Sequence, residues 1–179
     1  MPIRQIHMNR IVLIAVLLLT IGAFTTAEAQ RGPRTRRNHP VAAHHADKLH
    51  AKRVIRRTAI VIRHAQTCVR SNKNYTGDLA RSVAHQRFAR KLYFEGKYLR
   101  AMHQSRRARQ LAILAIQANK GTEPADAANE KEDEEIMNSE KVTDVDLDKE
   151  LDTGMPGYST KDEDFVNAAL EEIDLTDME

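Results

Sequence analysis

The charge of this 179-residue chain changes sign near Lys120, and that inversion limits how the chain can fold. Residues 30–120 carry 22 lysines and arginines against three acids, a balance of +19. Residues 121–179 carry 21 acids against four lysines, a balance of −17. Opposite charges of this size attract each other at short range. We therefore expect the acidic part to be the commonest anion that meets the basic part.

The basic part contains three stretches with the apolar spacing of helices. The first predicted helix runs from Ala42 to Arg70, the second starts near Asp78, and the third runs from Tyr98 to Asn119. The first has a seam with alternating steps of three and four residues: Ala51, Val54, Thr58, Val61, Ala65 and Cys68. The sequence therefore predicts an all-α fold, with a small three-helix bundle over residues 42–120.

A bundle of this size has a modest core. Domains of about 80 residues bury little apolar surface and have little stability to spare. We therefore expect either a homodimer or a core that another part of the chain completes.

The second and third predicted helices are joined at Gly96, which ends a helix without a Cβ clash. With Gly96 as the turn glycine, Tyr98, Ala101 and Ala108 match the inner aromatic and the close-packing alanines of a tetratricopeptide repeat. Residues 85–113 thus resemble one repeat of that family. The resemblance implies a helix-turn-helix hairpin and, more weakly, a groove that binds peptides.

The N-terminal residues 1–29 have the pattern of a signal peptide. Arg4 and Arg10 precede the apolar run Ile11 to Phe24, and Ala27 and Ala29 supply the small residues before a cleavage point. The alternative is a retained membrane anchor, but about 14 apolar residues are short for a bilayer. We expect a periplasmic or secreted protein that meets a membrane only through this segment before cleavage. A basic linker, residues 30–41, follows.

The acidic tail, residues 121–179, has few aromatic residues and a high charge, which is typical of disorder. One short helix is predicted within it, over residues 161–174. Thr160 and Glu163 have capping-box spacing, and an apolar stripe follows them. This helix would either lie on the basic bundle or remain nascent. The stripe consists of Phe165, Val166, Ala169, Leu170 and Ile173.

The basic face of the hairpin is the predicted contact surface for a protein or an acidic envelope polymer. Export argues against genomic nucleic acid as the partner. The alternative is a solvated face whose charge the tail only balances. The residues assigned to these contacts are Arg87, Arg90, Lys91, Arg100, Arg106, Arg107 and Arg109.

Histidines give an alternative function, that of a metal or haem carrier, because imidazole binds zinc, copper and haem iron. No HxxxH or HxxH pair occurs, so no cofactor is assigned. Catalytic motifs are also lacking, which favours a non-enzymatic interaction protein. A structural envelope protein without a ligand is a third alternative. The candidate metal ligands are His50, His64, His85 and His103.

Overall fold

Helices account for all the regular structure in the residues that the computed structural model describes, 40–169 and 173–175, with side chains from residue 47 onward. These residues belong to one unit, His39–Glu179. The expected all-α class is confirmed. The predicted signal peptide, residues 1–29, and most of the linker, residues 30–41, lie outside the described residues. The α-helices are α1 (Pro40–Asn72), α2 (Asp78–Phe94), α3 (Tyr98–Ala118), α4 (Lys131–Met137) and α5 (Asp144–Gly154).

The first helix packs against α2 and α3 through the seam that the sequence predicts. Ala51, Val54, Val61 and Ala65 are each at most 1% exposed. Cys68, at the end of the seam, is half-buried. Apolar residues spaced by three and four lie on one side of a helix, so their burial follows from the helical period.

The turn between α2 and α3 is made by Gly96, whose φ is +76°. Its N–H donates to the carbonyl of Tyr93 (3.0 Å), and the N–H of Lys97 donates to that of Leu92 (2.9 Å). This is the Schellman arrangement, which satisfies the last carbonyls of a helix when a glycine takes the left-handed conformation.

A layer of buried polar side chains crosses the bundle. Gln86 donates to the carbonyl of Ile55 (2.8 Å), and Ser105 donates to the side chain of Gln86 (3.0 Å). Thr58 donates to the carbonyl of Ser105 (3.3 Å). Buried polar groups with partners fix the position of one helix against the next, since unpaired ones are costly.

The predicted three helices over residues 42–120 are joined by two further α-helices, and the prediction that the tail is largely disordered is wrong for the described residues. Residues 121–169, which we call the strap, contain α4, α5 and two 3-10 turns that lie against α1–α3. Composition describes a segment in isolation, whereas here the bundle supplies an apolar surface and opposite charge. The buried apolar side chains of the strap are Met137, Leu147, Leu151, Phe165 and Val166.

The predicted helix over residues 161–174 is also wrong in its described part, because only a 3-10 turn forms there, Asp162–Asp164. The Asp162 side chain instead lies at the start of α2, where it accepts hydrogen bonds from the N–H groups of Gly77 and Ala80, both at 2.9 Å. A carboxylate suits this place because the first N–H groups of a helix lack partners. The apolar stripe still packs on the bundle through Phe165 and Val166.

Candidate interaction surface

The centre of the surface is Asp148 on α5, which lies between arginines of two helices. Arg107 on α3 donates to both of its carboxylate oxygens at 2.9 Å, and Arg81 on α2 donates to Oδ2 at 2.7 Å. Arg107 also donates to Asp144 at 3.0 Å. Partial burial raises the pKa of Asp148, but the hydrogen bonds and charges of Arg107 and Arg81 outweigh it and hold that pKa below its usual range.

A second group of contacts lies along α5, around Arg100 on α3. Arg100 donates to Glu150 at 2.8 Å and to Glu140 at 3.3 Å. The side chain of Gln104 donates to Glu150 at 2.8 Å and to the carbonyl of Leu147 at 3.2 Å. The polar residues of α3 therefore hold α5 at several points along its length.

The strap meets α1 through a separate cluster of charges near α4. Arg53 pairs with Asp133 at 2.9 Å, and Arg57 pairs with Glu130 at 2.6 Å. His50 Nδ1 lies 3.1 Å from the Asp133 carboxylate, which is almost fully buried. This cluster is built from the outer face of α1, so the strap covers charge on all three long helices.

The other predicted contact residues are also near the strap or half-buried. Lys91 donates to the carbonyl of Gly154 at 3.1 Å, and the Arg87 guanidinium lies 5.1 Å from the centroid of the Phe165 ring. Arg90 and Arg106 are half-buried. The strap therefore contacts Lys91, Arg87, Arg100 and Arg107.

Arg109 differs from the expectation of an exposed contact residue, because its side chain is only 3% exposed. It donates to Thr58 (3.1 Å), to the carbonyl of Val54 (3.3 Å) and to Asn129 (2.8 Å). Burial lowers the pKa of Arg109 to about 10, with a further contribution from the charge of Arg57. Its role is therefore to join the strap to the interior of the bundle.

His85 is fully buried beneath α5 and faces hydrogen-bond acceptors with both ring nitrogens. Nδ1 lies 2.7 Å from Gln104 Oε1, and Nε2 lies 3.1 Å from Asp148 Oδ1. Burial lowers the pKa of His85, and the charges of Arg107 and Arg81 lower it further, against the opposing effects of Gln104 and Asp148. A neutral ring donates to only one of the two acceptors.

His103 lies under the connection between α4 and α5 and is 1% exposed. Neither of its ring nitrogens has a hydrogen-bond partner among the described residues. Its nearest carboxylate is that of Glu140, at 4.0 Å. Burial lowers the pKa of His103, and the charges of Arg106 and Arg100 add to this effect against that of Glu140.

The four candidate metal ligands have different surroundings. His50 lies beside Asp133, His64 lies 2.9 Å from the carbonyl of Thr122, and His85 and His103 are buried below the strap. Over residues 40–169 and 173–175, no group of three or more histidine, cysteine or acidic side chains has the arrangement of a metal site.

No protein-family model, curated protein or solved structure matches this chain. The resemblance of residues 85–113 to a tetratricopeptide repeat therefore stays a prediction. Among the helices of the described residues, none is both long enough and apolar enough to span a bilayer.

Sequence reasoning did not assign Arg53, Arg57, Arg63 and Arg81 to the contact surface. Arg63 pairs with Asp174 at 2.8 Å, and the other three pair with the strap. The signal that could have found them is the charge inversion itself, because an acidic segment that folds onto the bundle has to meet its outward-facing arginines.

Proposed function

We propose that this chain is an exported, non-enzymatic interaction protein whose basic helical surface binds an acidic protein or an acidic envelope polymer. The strap competes with that partner for the same arginines. The observation that supports the proposal is the two-point contact of Arg107 with Asp148, shared with Arg81. Guanidinium groups in this geometry are well suited to carboxylates and to other planar or tetrahedral anions.

The ion pairs that α5 makes are partly exposed, which suits a contact that can be exchanged. The side chains of Asp148, Glu150 and Arg100 are 28%, 29% and 27% exposed. Ion pairs with access to water contribute little net stability, typically below about 1 kcal/mol each, and they weaken as salt rises. A partner with a higher density of negative charge would therefore compete effectively with the strap.

The test compares the full chain with two variants that change net charge by the same amount. In the first, Asp144→Asn, Asp148→Asn and Glu150→Gln remove carboxylates that face α2 and α3. In the second, the matched control, Glu134→Gln, Glu135→Gln and Glu163→Gln remove exposed carboxylates of the strap. Binding of a labelled sulfated polysaccharide is measured for each protein across a salt series.

The proposal predicts that the first variant binds the polysaccharide more tightly than the control variant and loses affinity steeply with salt, as counterion release requires. Equal affinity of the two variants would mean that only net charge matters. Lack of binding by either would overturn the proposal for polymers, and an acidic protein partner would then have to be sought by crosslinking.

A further inference from the structure

The contact between α5 and the groove of α2 and α3 combines apolar and charged recognition in one short helix. Leu147 and Leu151, four residues apart, are fully buried. Leu151 packs in the cluster that contains Ala84, Phe88 and Met102. Residues four apart lie on the same face of a helix, so both leucines enter the groove together.

Three carboxylates of α5 flank this apolar face, and each accepts a hydrogen bond from an arginine of the groove. Asp144 and Asp148 are again four residues apart, and both accept hydrogen bonds from Arg107. Glu150 accepts from Arg100 on the other side. The groove therefore offers α5 both an apolar contact for its leucines and donors for its carboxylates.

The helix α5 depends on the groove for its conformation. It has 11 residues, and an isolated helix of that length is marginal in water. The strap also has buried side chains on both sides of α5, Met137 before it and Phe165 and Val166 after it. Phe165 and Val166 pack in a different apolar cluster from Leu151, so they would hold the end of the strap if α5 left the groove.

We infer that the groove of α2 and α3 is a docking site for an acidic amphipathic helix of a partner protein, with two apolar residues four apart and carboxylates that reach Arg81, Arg107 and Arg100. α5 is the intramolecular occupant of this site. The inference rests on the proposed function, because it names the class of partner that the same surface takes. Laying the apolar face of a helix into a groove is a common mode of peptide recognition.

Because α5 is covalently linked to the bundle, it competes with any partner for the groove. A segment on a short linker competes at an effective concentration of about a millimolar. Partner binding to the unmodified chain is therefore weak unless its contacts exceed those of α5, and weakening α5 exposes the site.

The experiment uses the full chain with Asp144→Asn and Asp148→Asn, and a fluorescent peptide of residues 142–155. A control peptide exchanges Leu151 with Thr153, so that composition and charge are unchanged while the leucine spacing is lost. Burial of one leucine corresponds to roughly tenfold or more in affinity. We expect the variant to bind the native peptide at least about tenfold more tightly than the control peptide.

Two further variants keep the result clear. Leu151→Ala weakens the docking of α5 by removing an apolar contact and leaves its charge unchanged. This variant should also bind the native peptide more tightly than the control peptide. It replaces the double variant in the test if circular dichroism shows that the double variant has lost its helices. Adding Arg107→Gln to the double variant should abolish peptide binding, whereas Lys48→Gln, on an exposed part of α1, should not.

The outcomes separate the inference from the proposed function. If both peptides bind equally, the surface recognises charge alone, so the inference fails while the proposed function stands. If neither peptide binds but the variant with Asp144→Asn, Asp148→Asn and Glu150→Gln binds the polysaccharide, the inference fails and the proposed function stands. If neither peptide nor polysaccharide binds, the inference fails and the proposed function fails for polymers.

Discussion

The side chain of Arg109 donates hydrogen bonds both to the interior of the bundle and to the strap. Its guanidinium donates to Thr58, to the carbonyls of Val54 and Ala128, and to Asn129. The planar fork of arginine reaches all four acceptors at once, which a single ammonium group on a shorter side chain does not.

We therefore predict that Arg109→Lys lowers the free energy of unfolding by about 1–3 kcal/mol, the cost of leaving buried acceptors without their donors. Urea denaturation measures this change. Arg106→Lys is the control, because Arg106 is half-buried and its Nε has no partner among the described residues. The control should change stability by less than about 0.5 kcal/mol. Equal losses in the two variants would contradict the role assigned to Arg109.

His85 gives the protein a pH dependence whose sign follows from burial. Because burial lowers the pKa of His85 in the folded chain below its ordinary value of 6.5, the unfolded chain takes up a proton first as the pH falls. The contribution of neutral His85 to the free energy of unfolding is therefore complete above pH 6.5 and decreases as the pH falls below that value. His103 acts in the same direction.

The measurement is urea unfolding at pH 7.5, 6.5 and 5.5. His85→Gln keeps a side chain that can donate to Asp148 but does not titrate, so it should lose about 1 kcal/mol less stability than the unmodified chain over this range. His64→Gln leaves both buried histidines in place and is the control for a histidine-to-glutamine substitution elsewhere in the bundle. If His85→Gln retained the whole slope, the assignment to His85 would be wrong.

At the scale of elements, α2 begins on a carboxylate supplied by the strap. Asp162 is 1% exposed and accepts the N–H groups of Gly77 and Ala80. Gly77 has a φ of +84°, and a Cβ there would lie 3.3 Å from the carbonyl oxygen of Thr160. The positive φ and the tight approach of Thr160 together favour glycine at this position.

Loss of this cap should weaken α2. Asp162→Ala is expected to lower stability by about 1–2 kcal/mol, the usual effect of removing a helix cap. Thermal unfolding by circular dichroism provides the measurement. Glu163→Ala changes an exposed neighbour and should have an effect below about 0.5 kcal/mol. Unchanged stability of the Asp162→Ala variant would show that α2 does not need the strap at its start.

The elements also show how far sequence reasoning extends. The seam of α1 and the turn at Gly96 follow from local spacing and glycine geometry, and both lie where the sequence predicts them. α4 and α5 carry few apolar residues in an acidic context, so their composition predicts disorder. Leu147 and Leu151 are buried because a distant groove receives them. Composition alone does not report such non-local contacts.

At the scale of the whole molecule, the strap completes the core that three helices leave small. Met137, Leu147 and Leu151 are at most 2% exposed, and Phe165 and Val166 are at most 7% exposed. The expectation that another part of the chain completes the core agrees with this packing, and a homodimer stays a prediction.

A chain that ends after Lys120 should therefore be far less stable than the full chain. It loses the apolar contacts of seven buried side chains, the five of the strap together with Ile173 and Leu175. Each contributes about 1.5–3 kcal/mol, and typical domains have only about 5–15 kcal/mol in total. Circular dichroism should show reduced helix content and a lower melting temperature. An unchanged melting temperature would contradict a core that includes the strap.

Amide hydrogen exchange of α5 in the full chain tests most directly whether the acidic part of the chain is docked on the basic bundle. We predict that the amides of Leu147 to Thr153 exchange at least about 100-fold more slowly than in a disordered peptide, and that Asp148→Asn reduces this protection. Exchange of these amides at the rate of a disordered chain, while α2 and α3 remain protected, would contradict the account.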